Sequence, residues 1–281
     1  MNNNQGKIYF CSGSKHIDSP KPKMQAFIFN WPKTSHRVSS LYKRLKECKF
    51  IDDLFIINSD EQYEDPEVEG CINLPEDSFF SAQFHAALKI FDGDIMFHIQ
   101  ADADIPETVK IDELFSSASY YYNELNFSIY APDIDHTAWN NEKSQLPAES
   151  IRFLGYPTRI VPIINSDCTC WFINKTIIKL FKNSQLLKNL LNYSPLGWGA
   201  SAAICALGWQ NKMPVIRDLN YLIFHPNETG YEKRTASNQY RRFIGSIDNN
   251  LFVRDYLISS IQDKSKINTT ALIYRRLLDL D

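Results

Sequence analysis

The chain has 281 residues, 44% hydrophobic and 13% aromatic, enough to bury one large core or two modest ones. Its 30 basic residues nearly balance 33 acidic ones, which excludes a charge-driven role on nucleic acid or an anionic membrane. No apolar run approaches the ~18–20 residues needed to span a bilayer. The opening MNNNQGKIYF also lacks the apolar core of a signal peptide. The expectation is a soluble, cytoplasmic protein without a transmembrane segment, with peripheral membrane contact left open. The six cysteines (Cys11, Cys48, Cys71, Cys168, Cys170 and Cys205) fit no zinc framework and read as buried free thiols.

Strand-like and helix-like signals alternate from the first apolar segment onward. AFIFNW (Ala26–Trp31) reads as a buried strand. TSHRVSSLYKRLKEC follows at helical spacing, with Val38, Leu41 and Leu45 on one face and Thr34 or Ser35 as N-cap. DLFIINSD (Asp53–Asp60) is a second strand, SFFSAQFHAALKIF a second helix, and IMFHIQADAD a third strand after a Gly-Asp turn. VKIDELFSSASYYYNEL is helical and NFSIYAPDID a strand, and the polar HTAWNNEKSQLPAES reads as a long loop. RIVPIIN and CTCWFIN are strands, KTIIKLFKNSQLLKNLL is one helix, and GWGASAAICALGWQNK turns through glycines into a small-residue helix. PVIRDLNYLIFHP is a strand ending in His-Pro, after which come the basic YEKRTASNQYRRF and two amphipathic helical pieces. The pattern predicts an α/β fold with parallel core strands flanked by helices over residues 1–228, and a helical extension packed on it over 229–281.

The stretch IMFHIQADADIPE carries the first chemical signal. An apolar strand ends in Asp102 and Asp104, and residues i and i+2 of a strand face one side, so the two carboxylates are expected to converge. Ligands collect beyond the carboxyl ends of strands in open α/β sheets. Two carboxylates there suit Mg²⁺ or Mn²⁺, which uses one or two of them together with substrate phosphate oxygens. Plain capping or solvation at a strand end is the alternative.

Three motifs in order resemble the GT-A fold of nucleotide-sugar-dependent glycosyltransferases, family-2-like, over residues 24–228. They are ADAD after an apolar strand, similar to the DxD motif; the helix–Gly-Asp–strand run SAQFHAALKIFDGDIMFHIQADAD; and GWGASAAICALGWQNKMPVIRDLNYLIFHP, which resembles the Gly-Trp-Gly helix, its following strand and its His-Pro end. The resemblance implies a mixed, Rossmann-related sheet with Mn²⁺ or Mg²⁺ as cofactor. Asp102 would lie near ribose and metal and Asp104 would bind the metal. His225 would be a third ligand or a diphosphate contact, against a capped histidine at a strand end.

The same resemblance places the donor nucleotide at Phe29, Asn30 and Trp31 and at Asp60, with Asp60 preferred for base or ribose. His85 and Gln83 would lie on the helix face nearest the sugar-phosphate, and Arg37 would meet a phosphate or stay solvated. Trp198, with glycines on both sides, would stack on an acceptor sugar or else pack in the core, and Gly199, with Trp139 and His136 of the long loop, would contact the acceptor. Lys233, Arg234, Arg241 and Arg242 form either a lid over the diphosphate or a solvated basic face.

The match departs from the family after Gly-Trp-Gly, where Ala200 and Ser201 stand in place of an acidic base. Serine is too weakly basic to take an acceptor proton unaided. Asp167 in NSDCTCW is the best-placed substitute, with Asp135 or Asp133 behind it; otherwise the enzyme is retaining, or binding survives without catalysis. The expected function is metal-dependent transfer of a sugar from a nucleotide-sugar donor to a glycan or other hydroxyl acceptor. A degenerate binding protein and a sugar nucleotidyltransferase are the alternatives; FNWPKTSHR, lacking glycine, speaks against the second.

Overall fold

The computed structural model describes residues 8–11, 20–135, 137, 141–146, 151–154, 159–226, 231–262 and 266–280. Its main sheet is built from β2 (Met24–Asn30), β3 (Asp53–Asn58), β4 (Cys71–Asn73), β5 (Ile95–Gln100), β6 (Ile129–Asp135), β8 (Ile160–Pro162), β9 (Cys170–Asn174) and β10 (Val215–Phe224). The strand order is β4-β3-β2-β5-β9-β6-β10-β8. Strands β4, β3, β2 and β5 run parallel, as do β6 and β10. β9 is inserted antiparallel between β5 and β6, and β8 runs antiparallel along β10. β1 (Ile8–Cys11) and β7 (Ile151–Leu154) form a separate parallel pair.

Both faces of the main sheet are covered, which explains the unbroken apolar runs of its central strands. Along β2, Phe27 and Phe29 face one core while Ala26 and Ile28 face the other; along β5, Met96 and Phe97 divide the same way. Helices α1 (Ser35–Lys46) and α3 (Ile111–Leu125) cover the second face. The first face takes α2 (Phe80–Ile90), α5 (Lys175–Asn183), α6 (Gln185–Tyr193) and α7 (Ala200–Gln210). A short α4 (Asn141–Ser144) lies in the long polar segment. α7 is apolar nearly all round, as a helix sealed in a core must be, and nine of its eleven residues are buried.

The C-terminal helices α8 (Lys233–Gly245), α9 (Leu251–Gln262) and α10 (Ile267–Leu277) pack onto α7, sharing its core through Phe243, Val253, Tyr256, Leu257 and Ile273. The single helix expected over Lys175–Leu191 is instead two, because Ser184 breaks it. Ser184 has extended backbone (φ −91°, ψ 164°), and its hydroxyl accepts from Leu186 N. A serine that satisfies an N-terminal N–H restarts a helix rather than continuing one.

His98 lies at the centre of β5, fully buried against Phe29, Phe80 and Trp171. Trp171 Nε1 donates to its Nδ1 at 2.9 Å, which fixes the neutral ring with its proton on Nε2. Burial pushes the imidazole from an ordinary 6.5 down to about 3. The folded protein therefore binds fewer protons than the unfolded chain between those values. The stability this contributes is complete above pH 6.5 and lost as pH falls towards 3. His98→Phe is expected to remove about 1.4 kcal/mol per pH unit from the slope of unfolding free energy below pH 6. Urea unfolding of both proteins at two pH values checks this; equal slopes would contradict a neutral buried histidine.

Candidate functional site

The site forms where β5, β10 and the segment leading into β9 end together. The chain does not run straight through the aspartates as a strand, contrary to expectation. β5 stops at Gln100, Ala103 N turns back to Gln100 O at 3.0 Å, and Asp104 changes partner. Asp104 N donates to Phe224 O (2.8 Å) and Phe224 N donates to Asp104 O (2.9 Å), a two-bond clasp between the acidic turn and the end of β10. The clasp delivers the next residue, His225, to Asp102: His225 Nε2 lies 3.5 Å from Asp102 Oδ2. Convergence thus comes from two strand ends meeting, not from an i, i+2 pair on one strand. The Asp104 side chain is exposed beside it.

Asp102 Oδ1 is buried and has no hydrogen-bond partner among the described residues. An unpaired buried carboxylate oxygen is costly and calls for a cation or a donor. Burial opposes a charged His225, but Asp102 outweighs it and, with a smaller push from Asp167, raises the imidazole above its ordinary pKa. Among the described residues no three His, Cys, Asp or Glu side chains form a ready-made cage. That is compatible with Mg²⁺ or Mn²⁺, which takes few carboxylates and completes its shell with water and phosphate. Asp102, Asp104 and His225 offer oxygen and imidazole donors of the right kind. Two arginines of α1 brace the turn from outside: Arg37 Nη1 donates to Asp102 O at 2.8 Å and Arg44 Nη1 donates to Ile105 O at 2.5 Å.

The Gly-Trp-Gly turn leads into α7. Gly197 (φ +86°) and Gly199 (φ +98°) both occupy the left-handed region. A Cβ on Gly197 would lie 2.3 Å from the Phe80 ring, and one on Gly199 2.5 Å from Tyr240. Gly199 therefore permits close packing against α8. Gly197→Ala is expected to lower stability by roughly 1–3 kcal/mol through the clash and the strained φ, read as a fall in urea midpoint; an unchanged midpoint would refute the packing constraint. Trp198 is half-buried between them, and its Nε1 donates to Tyr231 Oη at 2.7 Å.

Tyr231, which the sequence does not mark as a site residue, accepts this bond; burial raises the pKa of its phenol, and Cys168, Asp167 and Asp102 add to the rise. Asp167 is half-buried, and its Oδ1 accepts from Thr169 N (2.9 Å) and Thr169 Oγ1 (2.6 Å). It caps the turn before β9, and its charge adds to the raised pKa of His225 and of Tyr231. Asp135 ends β6 in register with Phe224, and Asp133 pairs with Arg217.

The nucleotide side differs from expectation in several residues. Phe29 is fully buried, packed on Phe80, Phe84 and His98, so its side chain belongs to the core. Asn30, also fully buried, donates to Ser35 Oγ and Asn58 Oδ1 and accepts from Thr34 Oγ1, knitting β2 to β3 and α1. Gln83 supports the same knot by donating to Asn30 O at 2.6 Å. Its buried polar groups show why a strand end rich in asparagine need not touch a ligand. Trp31 remains half-exposed past the strand end.

Asp60 accepts from Ser35 Oγ and from Gln62 N, and lines a cavity of about 290 Å³ with Asn58, Glu61, Tyr63, Glu64 and Asn73. Burial, then Lys89 and Lys182, hold the pKa of His85 on α2 low. Lys233, Arg234, Arg241 and Arg242 are exposed on α8, as a solvated basic face would be. Trp139 and His136 lie outside the described residues.

No protein-family model matches the sequence, and no curated protein is similar to it. Solved structures do share its fold. GalNAc-T7 with UDP, GalNAc and Mn²⁺ superposes with a TM-score of 0.53 at 13% identity, covering 89% of this chain and 52% of the other. This chain thus spans about half the length of that protein. The mannosyltransferase PcManGT from Pyrobaculum calidifontis, in complex with GDP-Man and Mn²⁺, gives 0.53 at 11% identity over 93% of this chain and 75% of its own. The fold is therefore of the GT-A nucleotide-diphospho-sugar transferase type, with a mixed sheet whose two parallel sets flank β9. No helix among the described residues is long and apolar enough to cross a membrane.

Proposed function

We propose that the protein transfers a sugar from a nucleotide-sugar donor to a glycan or other hydroxyl acceptor, with Mn²⁺ or Mg²⁺ as cofactor. The observation that carries this is the corner formed by Asp102 and His225, with a buried carboxylate oxygen that has no hydrogen-bond partner among the described residues. Asp102, Asp104 and His225 would hold the cation there. When bound, it would offset charge accumulating on the departing diphosphate. The cavity at Asp60 and Asn58, bordered by accepting oxygens, receives the nucleoside.

Trp198 presents a flat apolar face to the acceptor sugar beside Tyr231. Asp167 takes the proton of the attacking hydroxyl while that oxygen bonds to the sugar carbon. The bond from carbon to diphosphate breaks and its electron pair leaves with the nucleotide. The half-buried Asp167 has one oxygen anchored by Thr169, a geometry that orients the carboxylate.

A second reading, binding without turnover, is supported by one feature: Ala200 and Ser201 follow Gly-Trp-Gly where an acidic base is expected. Incubation with Mn²⁺ and a panel of UDP- and GDP-sugars, followed by assay of slow donor hydrolysis, separates the two. Release of nucleoside diphosphate supports transfer. Tight nucleotide binding with no release supports the binding protein. Pyrophosphate formed from a nucleoside triphosphate and a sugar phosphate would instead indicate a nucleotidyltransferase.

A further inference from the structure

The peptide unit between Asp102 and Ala103 is held at both edges. A peptide is planar, so the Asp102 carbonyl and the Ala103 N–H move as one plate. Ala103 N donates to Gln100 O at 3.0 Å, which ties the plate to the end of β5. At the other edge Arg37 Nη1 donates to Asp102 O at 2.8 Å. Among the described residues no other hydrogen bond reaches the main chain of Asp102. Arg37 thus supplies one of the two bonds that fix this plate and, with it, the Cα carrying the carboxylate.

That support matters because the carboxylate itself is weakly held. Its Oδ1 is buried with no hydrogen-bond partner among the described residues, and its Oδ2 lies 3.5 Å from His225 Nε2, longer than a good hydrogen bond. A carboxylate so placed takes its direction from the backbone. Arg44, seven residues further along α1 and so on the same face, donates to Ile105 O (2.5 Å) and Pro106 O (3.4 Å), holding the far side of the turn. As a contribution to the fold the Arg37 bond is minor. The side chain is exposed, and water offers an exposed donor nearly the same bond.

We propose that Arg37 is a positioning residue for metal binding, pinning the Asp102 carbonyl so that the carboxylate stays aimed at the corner it shares with His225. This rests on the transferase reading, which puts Mn²⁺ or Mg²⁺ at that corner. Arg37 acts through the main chain of a metal ligand and does not itself meet the phosphates.

The sign of its effect separates this role from two others. A guanidinium acting by charge alone repels an incoming Mn²⁺, so its removal would leave metal binding equal or tighter. One that bonded the diphosphate directly would be needed with or without metal. A positioning residue is needed only when the metal is present.

Calorimetric titration of the full chain with UDP and with GDP, each in Mn²⁺ and in EDTA, distinguishes the three. Arg37→Met is expected to weaken Mn²⁺-dependent binding by about tenfold, the low end for a group that holds a metal ligand from outside. Affinity in EDTA is expected to stay that of the parent. The bond is single rather than a bidentate fork, so Arg37→Lys, which keeps a donor, is expected to lose less than the Met variant. Circular dichroism reports folding, and if Arg37→Met does not fold, Arg37→Gln, polar, uncharged and shorter, replaces it. Unchanged or tighter Mn²⁺-dependent binding in the uncharged variant, or an equal loss in EDTA, overturns the positioning role and leaves the transferase reading standing. A parent that binds neither diphosphate more tightly in Mn²⁺ than in EDTA overturns both.

Discussion

Asp102→Asn is expected to weaken Mn²⁺-dependent binding of a nucleoside diphosphate by roughly 100-fold or more, with the fold intact. Losing even an outer-shell partner of a metal ligand costs about 10–100-fold in affinity, so neutralising a ligand should reach at least the upper end. Asn keeps the size of the side chain but removes the charge that pairs with His225 at 3.5 Å. Asp104→Asn is expected to act in the same direction without unfolding the site, because Asp104 is clasped to Phe224 through its backbone, which the substitution leaves in place. Calorimetric titration of nucleoside diphosphate with and without Mn²⁺ checks both variants. Wild-type affinity in Asp102→Asn would remove the clamp from the account.

The second large effect is expected at Asp167. Asp167→Asn should lower kcat by about 10²–10⁴-fold, the usual contribution of a general base, while KM for the donor stays near that of the parent. Such a pattern marks a group needed in the transition state rather than for ground-state binding. Asn at this position can still accept from Thr169 N and Oγ1, so the turn before β9 is preserved and the loss is chemical. Full activity in Asp167→Asn would move the base elsewhere, to Asp133 or Asp135, or point to a retaining reaction that needs no separate protein base.

Much of the scaffold was legible because its signals are strong. The doubly buried β2 and β5 announce themselves as unbroken apolar runs, and α7 as a small-residue helix without a polar face. The motifs single out Asp102 and His225, but the geometry that brings the two together is not legible in them. Strand pairing between Asp104 and Phe224 spans a large sequence separation and leaves no local trace.

Short elements escaped for a different reason. β4 has three residues and β1 and β7 four each, too few for periodicity to develop. Polarity at a strand end or helix face, as at Asn30 and His85, does not say whether the partner is a ligand, a backbone carbonyl or a lysine.

The expectations for activity and nucleotide binding share one premise, that the Asp102–His225 corner receives a divalent ion bridged to a diphosphate. Crystals soaked with Mn²⁺ and a nucleoside diphosphate, measured near the manganese absorption edge, test it directly. The account requires an anomalous peak beside Asp102 and His225 with diphosphate oxygens against it; nucleotide bound elsewhere with no peak at that corner would contradict it.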